Sequence, residues 1–344
     1  MLVFLCSSTR VFMASQATVQ EEKSASNLKQ NGTKTALVTG GNAGIGYETC
    51  KGLLKAGFHV VVCARSTEKA DAAIASLLKD ASKHSTAESL VLDLASFKSV
   101  REAAATFLDS KRALNVCVLN AGIMALPWSK TGDGFEQQWQ VNVLGHFLFC
   151  RLLLPAIMAA KAPTGRIVHV ASGAHRLHPS PIDYALLAQE HESAKDFNQW
   201  RAYGRSKLAN ILFCNELARR LKAAGSAVTS NALHPGNVNT GLWTKAGRDN
   251  QTGISAEEGA RTPLYLATSK EVEGHTGGYY YLCEARTKLY VEAETKGLDY
   301  IEKSKLRTEI SMSEKEGNAL WLSASKDVGL GEKLLPVSGD ASKK

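Results

Sequence analysis

The chain alternates short apolar runs with longer segments in which apolar residues recur at helical spacing. The short runs are rich in β-branched residues and are continuously apolar, which is typical of strands covered by helices on both faces. Seven such runs occur, at 35–39, 58–63, 89–93, 115–120, 166–171, 228–234 and 278–282. The segments with helical periodicity lie at 44–56, 67–80, 97–110, 134–161, 203–225 and 256–269.

This alternation of strands and helices predicts repeated βαβ units. We therefore expect an α/β fold, with a single Rossmann-like doubly wound domain at 34–330 that contains a seven-stranded parallel sheet and helices on both faces. The flanking segments 1–33 and 331–344 are polar and are predicted to be disordered, with a cleaved transit peptide as the alternative for the first. Two long connections stand out: 173–200 is expected to carry a short helix, and 241–256 is expected to close over a substrate.

The composition narrows the classes of function. Hydrophobic residues make up 44% and charged residues 22% of the 344, which is enough for a buried core. The net charge of +8 is not gathered in one run, so we expect neither a nucleic-acid partner nor a polybasic membrane anchor. No apolar run reaches about 18 residues, so no transmembrane segment is expected.

The seven cysteines are widely scattered and form no CxxC pair. This pattern favours reduced thiols over a disulfide framework or a metal site. We therefore expect a reducing compartment. The cytoplasm is the first expectation, and an organelle is the alternative if 1–33 is a transit peptide.

Nucleotide-binding chemistry is indicated where the first strand meets the first helix. Residues 39–46 read TGGNAGIG, so the backbone can turn tightly and approach a pyrophosphate at a helix N-terminus. About twenty residues later, NAD enzymes carry an acid for the ribose 2′-hydroxyl. This chain has Arg65 there, a planar cation that favours a 2′-phosphate and hence NADP(H). A solvated surface arginine is the alternative.

A phenol and an ammonium share one face of a predicted helix. Tyr203 and Lys207 are four residues apart, so their heads can meet the same ligand. A nearby ammonium lowers the pKa of a phenol, which suits a general acid or base. Ser172 follows the fifth strand and should lie at the same sheet edge as the glycine turn. Asn142 stands among apolar helix residues and needs a polar partner, although capping or packing would also explain it.

Together these motifs resemble the short-chain dehydrogenase/reductase family over about residues 34–330, and most closely its branch of retinol dehydrogenases, WW-domain oxidoreductases and protochlorophyllide reductases. The resemblance implies that Ser172 and Tyr203 bind the substrate oxygen. It implies that Lys207 binds the nicotinamide ribose, and that Asn142 holds a water joining Lys207 to solvent. The implied cofactor contacts are Gly40, Asn42, Gly44, Ile45, Gly46, Arg65, Asp93, Leu94, Asn120, Ala121, Gly122, Tyr203, Lys207, Pro235, Gly236, Val238 and Thr240.

The expected activity is NADP(H)-dependent hydride transfer between the nicotinamide and a small-molecule carbonyl or alcohol, with Tyr203 as proton donor and acceptor. Two alternatives are a double-bond reductase similar to protochlorophyllide reductase and a non-catalytic regulator that senses NADP(H). The family commonly dimerises through the helices at 134–161 and 203–225. A homodimer is therefore one expectation, and burial of those faces in the core is the other. The physiological substrate stays open.

Overall fold

The described part of the chain forms one sheet with helices on both faces. The computed structural model describes residues 33–160, 165–248, 252–286 and 307–335. The strands are β1 (Thr35–Thr39), β2 (His59–Ala64), β3 (Ala87–Val91), β4 (Val116–Leu119), β5 (Arg166–Val170), β6 (Thr229–Leu233), β7 (Tyr279–Tyr281) and β8 (Glu284–Ala285). The helices are α1 (Gly44–Lys55), α2 (Thr67–Lys79), α3 (Phe97–Asp109), α4 (Gln137–Met158), α5 (Tyr184–Glu192), α6 (Gln199–Ala223), α7 (Gly241–Lys245), α8 (Ala256–Thr268) and α9 (Glu314–Asp327).

The strand order is β3-β2-β1-β4-β5-β6-β7-β8, and all neighbours run parallel except β7 and β8. The order reverses between β1 and β4, which pair in register from Ala36 opposite Val116. Ligands of doubly wound sheets bind at the carboxyl ends of the strands beside such a reversal. The predicted doubly wound fold is confirmed. The predicted count of seven strands is short by one, because β8 is a two-residue antiparallel strand with exposed side chains and leaves no apolar run.

Alternate residues of β1 pack into two separate cores. Ala36 and Val38 face the core formed with α1, α2 and α8, whereas Leu37 faces a larger core on the opposite side of the sheet. The larger core holds Phe147 of α4 and Phe213 of α6, packed at a ring distance of 4.9 Å. Burial on both faces explains why the strands are continuously apolar.

Helix α4 is interrupted by a π turn at Gln140–Leu144, between Gln137–Trp139 and Gly145–Met158. It is long and apolar enough to cross a membrane by length and composition, and most of it is buried inside the protein. A π turn inside an α-helix often marks a functional site. Asn142 lies in the middle of this turn.

The carboxyl-terminal part of the described chain differs from expectation. Helix α9 has no counterpart among the predicted helices, although it packs into the larger core through Leu320, Trp321 and Ala324. The segment predicted to be disordered begins at residue 331. Its first residues are held in place, since the carbonyls of Gly331, Lys333 and Leu334 accept hydrogen bonds from Arg151. Residues 1–32 and 336–344 lie outside the described residues.

Candidate active site

The glycine turn leads from β1 into α1 with little space for side chains. Gly40 has φ of 65° and Gly44 has φ of 53°, in the left-handed region that favours glycine. A Cβ atom on Gly46 would lie 2.2 Å from the Gly40 oxygen. Helix α1 begins without a side-chain cap and has no acidic residue in its first turn. Its N–H groups are therefore open to an anion, which fits the phosphates of a dinucleotide.

The Thr39 hydroxyl ties the end of β1 to the end of β4. Its oxygen accepts hydrogen bonds from the backbone N–H of Asn120 and of Ala121, both at 2.9 Å. The Asn120 amide donates in return to the Thr39 carbonyl oxygen at 2.8 Å. These bonds place the Asn120–Ala121–Gly122 turn directly beside the glycine turn. The two segments predicted to contact one cofactor are thus held together.

Three polar side chains meet beyond the carboxyl end of β5. Ser172 follows β5, Tyr203 and Lys207 lie on α6, and the Ser172 hydroxyl is close enough to the Tyr203 phenol to lower its pKa. The Lys207 Nζ atom donates to the Val170 carbonyl at 3.0 Å and lies 5.7 Å from the centre of the Tyr203 ring. Tyr203 and Lys207 are both buried. The structure therefore brings together the phenol, the ammonium and the hydroxyl that the sequence singled out.

The protonation of this group differs from the expectation that Lys207 lowers the pKa of Tyr203. Burial raises the pKa of Tyr203 to about 12, and the hydrogen bond from Ser172 offsets only part of this rise. Burial lowers the pKa of Lys207 to about 8, because a buried ammonium loses its hydration. Lys207 turns its Nζ to the Val170 carbonyl rather than to the phenol oxygen. The phenol is consequently protonated at neutral pH.

Both polar atoms of the Asn142 side chain are hydrogen-bonded. Its Oδ1 accepts from the Ile123 N–H at 2.9 Å, and its Nδ2 donates to the Ile123 carbonyl at 2.9 Å and to the Ser206 hydroxyl at 3.0 Å. A Cβ atom on Gly122 would lie 3.3 Å from Asn142 Oδ1 and 3.6 Å from Lys207 Nζ. Asn142 therefore stands close to Lys207, and its side chain fixes the turn that follows β4.

The residues expected to contact the adenosine half of the cofactor lie at the ends of β2 and β3. Arg65 follows β2 and is exposed; within the described ranges it has neither an ion pair nor a hydrogen bond. Asp93 is half-buried, and its Oδ1 accepts from the Ala95 N–H at 3.0 Å, which is the bond of an ordinary Asx turn. Leu94 is buried against Gly145 of α4. Arg65 is thus available to an anionic ligand.

The loop after β6 returns to the glycine turn. Pro235 leads into Gly236, which has φ of 98° and approaches Ile254. Val238 is buried and forms a parallel bridge with Ile254, while a Cβ on Gly44 would lie 3.4 Å from the Thr240 methyl group. The remaining expected contacts are half-buried positions in the glycine turn, namely Asn42 and Ile45.

Apolar side chains surround Tyr203, and the sequence indicated them only in part. Tyr203 clusters with buried Met124 and Ala125. Five partly buried residues pack against this cluster: Ala174, Trp200, Leu242, Trp243 and Ala246. Leu242 and Trp243 belong to the segment expected to close over a substrate. Met124 lies in the loop after β4, and Trp200 lies in the first turn of α6, ahead of the predicted start of that helix. The surroundings of the Tyr203 ring are therefore largely apolar.

Comparison with known proteins agrees with this geometry. The family model described as short chain dehydrogenase matches residues 34–182. The polyprenol dehydrogenase of Homo sapiens is 36% identical over 80% of this chain and 82% of its own length, and retinol dehydrogenase 14 of Mus musculus is 40% identical over 73% and 78%. The chain belongs to the short-chain dehydrogenase/reductase family. Its similarity to retinol dehydrogenases places it in the branch that the motifs indicated.

Other relatives show how much of each protein this chain matches, and one of them was solved with a cofactor. The chain is 39% identical to the WW domain-containing oxidoreductase of Homo sapiens but spans only 62% of it. A crystal structure from Mycobacterium paratuberculosis has a TM-score of 0.65 and 31% identity, covering 86% of this chain and 93% of that one. The Pseudomonas aeruginosa RhlG/NADP active-site complex has a TM-score of 0.55 and 27% identity, covering 72% and 93%. As a short-chain dehydrogenase/reductase, this protein is an oxidoreductase that uses a nicotinamide cofactor.

Proposed function

We propose that this protein is an NADP(H)-dependent oxidoreductase that interconverts an apolar carbonyl compound and its alcohol. The observation that carries the proposal is the group formed by buried Tyr203, buried Lys207 and half-buried Ser172 beside the glycine turn, in which Ser172 is close enough to the phenol to lower its pKa. A protein that only senses the cofactor has no need of such a group. The regulator alternative is therefore not favoured.

In reduction, Tyr203 is the proton donor to the substrate oxygen. Because burial raises the pKa of Tyr203 to about 12, the phenol carries its proton at neutral pH and can deliver it to an oxygen as negative charge develops there. The Ser172 hydroxyl, which is close enough to the phenol to lower its pKa, holds the same oxygen in place. Burial lowers the pKa of Lys207 to about 8, so its ammonium can return a proton to this group.

The residues present fit a bound NADP(H). The glycine turn with the N-terminus of α1 would hold the pyrophosphate, Arg65 would pair with the 2′-phosphate, and the Asn120–Gly122 turn beside the glycine turn would contact the same cofactor. The cofactor itself supplies or accepts the hydride. The similarity to RhlG, whose structure is a complex with NADP, also supports NADP(H).

The side chains around Tyr203 support an apolar substrate. Met124, Trp200 and Trp243 pack around the Tyr203 side chain. Their burial of an apolar chain would be worth about 25 cal/mol per Å² of surface removed from water. The names of the polyprenol and retinol dehydrogenases point to alcohols with long apolar chains. We therefore propose primary alcohols of this kind, and the matching aldehydes, as the substrate class.

A direct assay tests this proposal. Purified protein is incubated with NADPH and a series of aldehydes of increasing chain length, and oxidation of NADPH is followed by absorbance. We expect kcat/KM to rise with chain length. A protein that binds NADPH but oxidises it with no aldehyde in the series would instead be the non-catalytic regulator.

Exchange of Arg65 for alanine should lower the preference for NADPH over NADH. The guanidinium is the one cation that the sequence places at the expected 2′-phosphate site, and a charge-assisted hydrogen bond contributes about 1.5–3 kcal/mol. The ratio of kcat/KM for NADPH to that for NADH should therefore fall by about 10- to 150-fold. Arg248 is also exposed but packs on Trp200, so Arg248→Ala is the control that keeps the ratio. An unchanged ratio in Arg65→Ala would mean that Arg65 does not bind the 2′-phosphate.

Exchange of Gly46 for alanine should weaken cofactor binding. The added Cβ would meet the Gly40 oxygen at 2.2 Å and the Asn120 amide at 2.5 Å, so the glycine turn must shift. Overpacking of this kind costs about 1–3 kcal/mol, which is about 5- to 150-fold in the dissociation constant of NADPH. A Cβ on Gly132 meets no atom within 4 Å, so Gly132→Ala is the matched control in a fluorescence titration. Equal affinity in both variants would remove the glycine turn from the binding site.

A further inference from the structure

A buried histidine of α4 joins the two halves of the active site. His146 is 1% exposed, and its Nε2 atom lies 2.9 Å from the Thr39 hydroxyl oxygen. Its Nδ1 atom lies 3.3 Å from the backbone oxygen of Asn142, one helical turn earlier. The ring therefore bridges the residue that organises the cofactor-facing turns and the π turn that carries Asn142.

Counting hydrogens fixes the direction of these bonds. A threonine hydroxyl has one hydrogen and two lone pairs. Both lone pairs of Thr39 are occupied by the N–H groups of Asn120 and Ala121. Thr39 must therefore donate its own hydrogen, and His146 Nε2 at 2.9 Å is nearer than the Val118 oxygen at 3.4 Å.

The tautomer of the ring follows from this count. Because Nε2 accepts from Thr39, the single proton of a neutral imidazole sits on Nδ1 and is donated to the Asn142 oxygen. Burial lowers the pKa of His146 to about 3, and the charge of Lys207 acts in the same direction. A protonated ring would place a second donor against Thr39, whose lone pairs are already filled.

We infer that His146 is a positioning residue, which as a neutral Nδ1–H imidazole holds the Thr39 hydroxyl and the Asn142 carbonyl in one arrangement. The inference rests on the proposed function, because it assigns the Thr39 side to cofactor binding and the Asn142 side to the proton chemistry of Lys207. His146 touches neither cofactor nor substrate in this role. It acts through the two segments that contain Thr39 and Asn142.

Nitrogen NMR of the ¹⁵N-histidine-labelled protein tests the tautomer without any variant. We expect the His146 signals of a neutral Nδ1–H ring from about pH 6 to pH 9, because the pKa lies far below this range. A proton on Nε2, or a ring that is charged in this range, would overturn the inference. This measurement needs no turnover, so it stands even if the protein reduces none of the aldehydes tested.

Three variants separate the hydrogen bond to Thr39 from the hydrogen bond to Asn142. His146→Gln keeps an acceptor where Nε2 stood and should retain the KM for NADPH while lowering kcat. His146→Asn keeps a donor where Nδ1 stood and should retain kcat while raising the KM for NADPH. His146→Leu should show both defects. Each defect is expected to be about tenfold, since one buried hydrogen bond is lost in each case.

His169 offers the matched control. It is also fully buried and neutral, since burial lowers its pKa to about 3, and its Nε2 bonds the Ser230 hydroxyl at 3.0 Å. His169→Leu should lower the unfolding midpoint and leave kcat and both KM values unchanged. If the His146 variants also change only the unfolding midpoint, His146 has a purely structural role and the inference is wrong.

Discussion

Replacement of Tyr203 by phenylalanine should lower kcat by about 10²- to 10⁴-fold, the usual contribution of a positioned general acid. The exchange removes one oxygen and leaves the ring, so packing against Met124 and Ala125 is retained. What is lost is the proton that burial keeps on the phenol. The measurement is the rate of NADPH oxidation at saturating aldehyde.

The controls for this variant are binding and a second buried tyrosine. The dissociation constant of NADPH should change little, because the proposed partner of the phenol oxygen is the substrate. Tyr279 of β7 is also buried, burial also raises its pKa, and its hydroxyl has no hydrogen-bond partner within the described residues. Tyr279→Phe should therefore keep kcat. Full turnover by Tyr203→Phe would exclude Tyr203 as the proton donor.

The sequence predicted the sheet well because its strands are buried on both faces. Continuous apolar runs such as the one that forms β1 have no polar face, so they fit only a sheet covered on both faces or a buried helix. Their short length favours the sheet. Parallel strands all end at one edge. Ser172, Asn120 and the glycine turn could therefore be placed together from the order of the strands alone.

The sequence could not predict properties that depend on exact contacts. The expected fall in the pKa of Tyr203 required the Lys207 ammonium to face the phenol oxygen, and only the structure shows that it bonds the Val170 carbonyl instead. The spacing of four residues gives a shared helix face but no side-chain direction. The apolar surroundings of Tyr203 were missed in part because Met124 lies in a loop far away in the sequence and Trp200 precedes the predicted start of α6.

Helix α9 was also missed, although a local signal was present. Ser313 precedes Glu316 by three residues, and its side chain accepts from the Glu316 N–H at the start of the helix. The helix contains few apolar residues, so its periodicity is weak. Its largest buried side chain is Trp321, packed edge-on against Phe147 at a ring distance of 5.2 Å. The apolar face of α6 that the sequence offered to a second subunit is thus partly covered by the chain itself.

Exchange of Trp321 for alanine should therefore lower the free energy of unfolding by about 3–5 kcal/mol, as for other large aromatic residues removed from a core. Trp321 is 1% exposed, its Nε1 donates to the Glu332 carbonyl at 2.8 Å, and the guanidinium groups of Arg151 and Arg220 both lie 4.4 Å from its ring centre. Alanine would leave the buried Arg151 charge without the aromatic face that it covers. Unfolding in urea, followed by circular dichroism, measures the difference.

Leu322 on the same helix is the matched control, because it is 37% exposed and Leu322→Ala should change the free energy of unfolding by less than about 1 kcal/mol. Trp321→Phe keeps an aromatic ring and should recover more than half of the loss. A Trp321→Ala variant as stable as Leu322→Ala would mean that α9 is not anchored through this residue. The segment after it, held by Arg151, would then have to keep the helix in place, and Arg151→Met would become the larger of the two effects.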